Sequence, residues 1–248
     1  LAVLFVAILS TEIGKAVSKE TKIDILLTPL VTIGSGMLFS AILAPIIGKA
    51  AIQLGSIIMW ATELQPFFMG ILVSALVGIA LTLPISSAAI CAALGLTGLA
   101  GGVAVAGCCA QMVGFAVISF RENGVSGLIS QGLGTSMLQM GNIVKNPKIW
   151  IPATFASIIT GPLATCVFHF ENNGPAVTSG MGTCGLVGPI GVYTGWLKAI
   201  EEGTKTAVTA FDWLSLLLLC FILPAILSLL CAALCRKMGW IKEGDMKL

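Results

Sequence analysis

Long apolar runs separated by short polar gaps set the pattern of this chain. Residues 25–48 are apolar for longer than the roughly 20 residues a helix needs to cross a bilayer. Thr28, Pro29, Thr32, Gly34 and Gly36 interrupt the first half of that run. Membrane helices tolerate Pro and Gly where neighbours satisfy the freed backbone groups, so this half is expected to be kinked and to face inward. Residues 67–83, 93–118, 149–168 and 213–235 read as further spans. Residues 1–10 read as the end of a span whose start is missing, because no basic segment precedes them as in a signal peptide. Residues 124–144 have the length of a span but carry Gln131, Gln139 and Asn142. They are expected to cross with that polar face turned toward the protein interior. Residues 49–60, with Lys49 and Gln53, read as an interfacial stretch.

The gaps read as connections. Residues 11–24, with Lys15, Lys19 and Lys22, form a loop on this reading, as do Arg121, Glu122 and Asn123. Asn146-Pro147, between Lys145 and Lys148, is a tight turn. Residues 191–200 lead into a polar loop with Lys198, Glu201, Glu202 and Lys205. Pro84, Ser86 and Ser87 break an apolar run, a pattern that suggests a discontinuous or re-entrant helix.

Composition turns this pattern into a class. Hydrophobic residues make up 57% of the 248 and charged residues 10%, against roughly 25% charged in soluble domains. So much apolar surface has to face lipid or other membrane helices. The fold expected is all-α, a polytopic transmembrane bundle forming one domain over residues 1–248, in a cell membrane. A net charge of +2 argues against nucleic acid as a partner. The tail at 236–248 carries four basic and two acidic residues, which places it in the cytoplasm by the positive-inside rule. Counting back from it puts Lys145, Lys148 and the lysines of 15–22 inside, with about seven crossings and two re-entrant breaks.

The chemistry concentrates in residues 169–189, HFENNGPAVTSGMGTCGLVGP. His169, the only histidine, stands beside Glu171, Asn172 and Asn173. A carboxylate accepts hydrogen bonds from hydroxyls, amides donate and accept, and a histidine carries charge near neutral pH. Such a set suits a polyhydroxylated or anionic ligand, with Thr178, Ser179 and Thr183 as further contacts. Asn-Asn-Gly-Pro is equally a set of turn residues. Gly180, Gly182 and Gly185 match GxGxxG, but no strand precedes them as a dinucleotide fingerprint requires. Gly182, Gly185, Gly188 and Gly191 recur every third residue, which on a helix makes a bare packing stripe. GLTGLAG at 95–101 aligns with GTCGLVG at 182–188, a candidate internal repeat. The eight cysteines include no CxxC pair and read as small packing residues, so neither a metal nor a cofactor is implied. There is no HExxH, no Walker loop and no second histidine for a triad, so no catalytic set is assigned.

The segment KIDILLTPLVT at 22–32, the stretch GP…HFENNGPAVTSGMGTCGLVGPIG at 161–191 and the overall hydropathy resemble EIIC-like membrane proteins of the phosphotransferase system. The branch that is most similar contains regulators of the perfringolysin toxin type. The resemblance implies a helical domain with re-entrant hairpins, usually a homodimer, that moves a small polar solute such as a sugar. It implies that His169 and Glu171, with Asn172 and Asn173 beside them, contact that solute. A glutamate-containing hairpin motif of the sugar enzymes has no close copy here, and no EIIB domain is attached. Coupled phosphorylation therefore requires a separate EIIB partner. The other function implied is a membrane-embedded sensor that binds without transporting.

Overall fold

A computed structural model describes residues 2–18 and 24–248. Its helices are α1 (Ala2–Val17), α2 (Asp24–Thr62), α3 (Pro66–Thr82), α4 (Ser87–Ala93), α5 (Gly98–Ile118), α6 (Phe120–Ile129), α7 (Met140–Lys145), α8 (Ile151–Pro162), α9 (Val187–Glu201), α10 (Ala210–Leu217) and α11 (Leu223–Lys237). Short 3-10 and π turns join several of them, and no strand occurs among the described residues. The chain forms two compact units, residues 1–56 and 57–248.

In the first unit, α1 and the opening of α2 approach through small residues, Gly14 against Thr32 and Gly36 against Ser10. The loop expected at 11–24 is helical through Val17, and residues 19–23 lie outside the described residues. α2 is one helix of 39 residues, so the apolar run at 25–48 and the stretch at 49–60 are a single element.

Three helical stretches among the described residues are long and apolar enough to cross a membrane: Gly98–Ile118, Pro147–Val167 and Ala210–Lys237. All lie in the second unit. α5 is its axis, with 94% of its apolar window enclosed by protein. The last stretch is only 33% enclosed, and Ile226, Leu229, Leu230 and Leu234 form an exposed apolar face suited to lipid. α3, α5 and α8 pack with almost no side chain between them. Gly70 lies against the backbone of Gly161 and Pro162, and Gly107 against Ser74. Close approach of backbones is the main source of helix affinity where no water drives association. Within this core Gln111 accepts from Trp150 Nε1 (3.0 Å) and donates to Thr154 Oγ1 (3.2 Å), so its buried amide is satisfied inside the bundle.

The order of the spans follows from their end contacts. α5 begins at Gly98, which exchanges two backbone hydrogen bonds with Asn172. It ends at Ile118, whose carbonyl accepts from Arg236 at the close of α11. We call these the site end and the tail end. The stretch Pro147–Val167 runs from tail end to site end, and Ala210–Lys237 returns. Two segments leave the site end and double back. α3 descends to Thr82, level with Gln111, and α4 climbs back toward Gly98. Residues 174–186 descend until Gly182 rests on Cys108, roughly 15 Å down α5 from Gly98. α9 then returns, bringing Gly195 against Asn173 and Gly174. The two excursions touch: Ser87 Oγ donates to the Gly180 carbonyl (2.7 Å) and Ser179 Oγ to the Leu96 carbonyl (2.7 Å).

Several expectations are corrected. The helix expected from residue 93 starts at Gly98, because Gly95 and Gly98 both take positive φ (62°) and break it from α4. Arg121, Glu122 and Asn123 form the first turn of α6 rather than a loop, and the break falls at Gly124 (φ 59°). Residues 124–144 do not form one continuous helix. They are split among α6, a π turn, a 3-10 turn and α7. Both their ends meet the same tail, through Asn123 to the Met246 carbonyl (2.8 Å) and Asn142 to the Lys247 carbonyl (2.9 Å). Gln131 and Gln139 do face inward, as expected, but onto Ser119 and the tail backbone rather than a membrane interior. The glycine stripe is only half helical. Gly188, Gly191 and Gly195 pack along α9, whereas Gly182 (φ 52°) and Gly185 (φ 53°) form the turn before it. Gly95 and Gly98, which align with Gly182 and Gly185, also take positive φ at the start of α5, but Leu186 (φ 60°) has no left-handed counterpart at Leu99.

Candidate functional site

The stretch 168–173 is fixed by its backbone. After the π turn Leu163–Val167, the Phe170 amide donates to the Ala164 carbonyl (2.8 Å), which caps the end of the span. Phe170 is buried and its carbonyl lies directly on Gly102, where any side chain would collide. This close approach pins the following residues against the start of α5. His169 is left exposed with φ 43°, a left-handed conformation uncommon for a non-glycine residue and of a kind that clusters at active sites.

Asn172 and Asn173 diverge from there. Asn172 is fully buried; Nδ2 donates to Thr178 Oγ1 (2.9 Å) and Ser179 Oγ (2.8 Å), and Oδ1 accepts from the Gly174 amide (3.2 Å). Thr178 and Ser179 are thereby occupied within the descending segment. Thr183 is buried at its lower turn and donates to the Gly132 carbonyl. These four expected ligand contacts lie inside the protein. Gly180 and Gly188 hold close backbone contacts in the same segment, to Ser87 and Gly182.

His169, Glu171 and Asn173 instead share an open cavity of about 290 Å³. Asn173 Nδ2 donates to Glu171 Oε2 (3.0 Å). The opposite wall comes from α9, α10 and the connection between them: Trp196, Thr204, Lys205, Asp212 and Ser215. Lys205 Nζ pairs with Asp212 Oδ1 at 2.6 Å and sits 5.4 Å from the centre of the Trp196 ring. Asp212 is aimed by local sequence. Thr209 and Asp212 form a capping box at the start of α10, with the Thr209 amide donating to Asp212 Oδ2 (2.7 Å). Trp196 is braced edge-on by Trp213 (5.6 Å between ring centres) and by Tyr193 (6.3 Å), while Phe168 stacks on Phe211 at the rim.

Sequence reasoning missed Trp196, Lys205 and Asp212 as site residues. The one available signal was the Thr209-x-x-Asp212 capping pattern, which fixes where α10 starts. The site's charges are matched internally: Lys205 with Asp212, and Glu171 with an amide donor. Glu171 and Asp212 against Lys205 leave the lining with one net negative charge, His169 being neutral, so its hydroxyl, amide and carboxylate groups suit a neutral polyol more than an anion. Among the described residues, no group of His, Cys, Asp and Glu has the arrangement of a metal site.

No curated protein and no solved structure shows significant similarity to this chain. The family described as Phosphotransferase system, EIIC, by contrast, matches it from residue 1 to residue 248. That match spans the apolar helices and the cavity together, and the chain belongs to the EIIC family of the phosphotransferase system, a membrane component of sugar uptake.

Proposed function

We propose that this protein binds a neutral sugar in the cavity of His169, Glu171, Asn173, Trp196 and Lys205 and carries it across the membrane. The observation that carries the reading is the composition of that wall, in which amide, hydroxyl and carboxylate groups converge on one open cavity in a form that matches the hydroxyls of a sugar. Glu171 accepts hydrogen bonds from hydroxyls, Asn173 donates to Glu171 and holds it in place, and Trp196, buried behind Lys205, closes the apolar back of the cavity. The two doubled-back segments act as re-entrant hairpins whose upper ends frame the cavity.

Charge supports an orientation. Among the described residues of the second unit, Arg121, Lys145, Lys148, Arg236, Lys237, Lys242 and Lys247 gather at the tail end, and Lys198 and Lys205 flank the cavity at the site end. By the positive-inside rule the tail end is cytoplasmic and the cavity opens outward. A homodimer and a separate EIIB partner, as the family implies, fit the same scheme.

Sugar flux into proteoliposomes, with binding measured on the same preparation, tests the proposal. Saturable uptake is expected, and Glu171→Gln should abolish both binding and uptake while the protein stays folded. Unchanged affinity in that variant refutes the site. Saturable binding with no flux makes the protein a sensor instead.

A further inference from the structure

Near the tail end, an apolar groove of about 220 Å³ is bounded by α5, by α6 with the turn after it, and by the last span. Val113 and Val117 line it from α5, Leu128, Ile129 and Leu133 from the second element, and Phe221 from the π turn Leu218–Ile222. No polar side chain lines it. Ile129 and Leu133 are half exposed, so the groove is open to its surroundings.

Depth decides what those surroundings are. α5 has 21 residues, a length of about 32 Å that matches the roughly 30 Å apolar core of a bilayer. Val113 and Val117 lie in its last two turns, just inside one edge of that core, where the medium is acyl chain. The chain leaves α5 at Ser119, which puts Arg121 in the headgroup layer, about 5–8 Å thick. Arg121 is exposed and has no ion pair among the described residues, since the adjacent Glu122 lies against Arg236 (3.8 Å). A second apolar groove, of about 260 Å³ along α8 at Trp150, Ile151 and Phe155, lacks this companion. The cation at that end of α8, Lys148, is engaged over the Trp240 ring (5.6 Å).

A free guanidinium beside an apolar groove at the membrane edge matches both parts of one molecule. Guanidinium groups hold phosphate through charge-assisted hydrogen bonds, and basic sites beside membrane helices take anionic headgroups. We infer that an anionic phospholipid binds here, with its phosphate on Arg121 and one acyl chain against Phe221 and Leu133. So seated, the chain touches α5, the 128–133 segment and the last span at once. The inference rests on the membrane location of the family and is independent of the sugar reading.

Native mass spectrometry tests it on the full chain purified in a neutral detergent, with phosphatidylglycerol or phosphatidylcholine of identical acyl chains added. Phosphatidylglycerol should be retained ten-fold or more over phosphatidylcholine. Arg121→Gln should reduce its retention to that of phosphatidylcholine. Leu133→Trp, which fills the groove from an exposed position, should reduce retention of both lipids. Phe155→Trp, exposed in the second groove, should change neither. Equal retention of the two lipids by the unaltered protein overturns the inference. So does a phosphatidylglycerol preference that survives both Arg121→Gln and Leu133→Trp. A dimer that Leu133→Trp converts to monomer with no change in bound lipid also overturns it, because a second copy then fills the groove.

Discussion

Replacing Asn172 by Ala removes the donor to two buried hydroxyls and the acceptor of the Gly174 amide. Unsatisfied buried groups cost about 1–3 kcal/mol each, so Asn172→Ala should destabilise the protein by about 2–4 kcal/mol. Thermal unfolding in detergent should show a clear drop in Tm. Asn173→Ala, one residue on, should leave Tm nearly unchanged and weaken ligand binding at least ten-fold, because its exposed amide serves only Glu171 and the cavity. A reversed pattern in the two variants would refute the division made between them. This is also the limit of what the sequence reveals. A run such as His-Phe-Glu-Asn-Asn advertises polar chemistry beside membrane spans. It does not tell which amide faces in, because that depends on Gly102 admitting the Phe170 carbonyl, a contact 68 positions away in the chain. Lys205 and Asp212 were hidden for a related reason. They are ordinary loop and cap residues until the 202–209 connection folds back over Trp196.

At the scale of elements, apolar length identifies the spans but not the breaks. α5, the 147–167 stretch and the 210–237 stretch follow directly from their hydropathy. Residues 124–144 do not, since three amides on an apolar segment are equally compatible with a polar-faced span and with a bracket for another segment. The structure makes them a bracket, which has a topological consequence. Single cysteines at Arg121 and Lys145 should react with a membrane-impermeant maleimide from one side, and a cysteine at Glu201 from the other, in a background carrying Cys166→Ser to remove the exposed native thiol. Labelling of positions 121 and 145 from opposite sides would restore the crossing helix. The packing of elements gives a second test. Gly107→Ala places a methyl against the Ser74 backbone and should push α3 from α5. Overpacking of this kind costs about 1–3 kcal/mol. Gly134→Ala, with open space around it, should be neutral in the same unfolding assay.

For the second unit as a whole, function and anchorage sit at opposite ends. The cavity lies where α8 ends and α10 begins, and the tail is docked where α8 begins and α11 ends. Ile241 and Met246 are buried there beside Phe115, Ile143 and Ile149 in one apolar cluster. Met246→Asp should therefore lower Tm substantially while leaving the affinity of the remaining folded protein for sugar unchanged. Loss of affinity without loss of Tm would mean the two ends communicate.

The way the tail is held has one more consequence. Asn123 and Gln139 donate to the Met246 carbonyl, Asn142 to that of Lys247 and Asn146 to that of Trp240. Glu122 accepts from the Met246 amide and Asn123 from the amide of Leu248. Nearly every polar contact is made to main chain, so the clamp reads shape rather than spelling. In a saturation library over residues 239–248, Lys242, Glu243 and Lys247 should accept almost any residue. Ile241 and Met246 should resist change because they fill the cluster, Asp245 because it accepts from Asn146 and the Lys242 amide, and Gly239 and Gly244 because their φ values are 70° and 91°. Related chains can then diverge at positions 242, 243 and 247 and still close the tail against the same four amides.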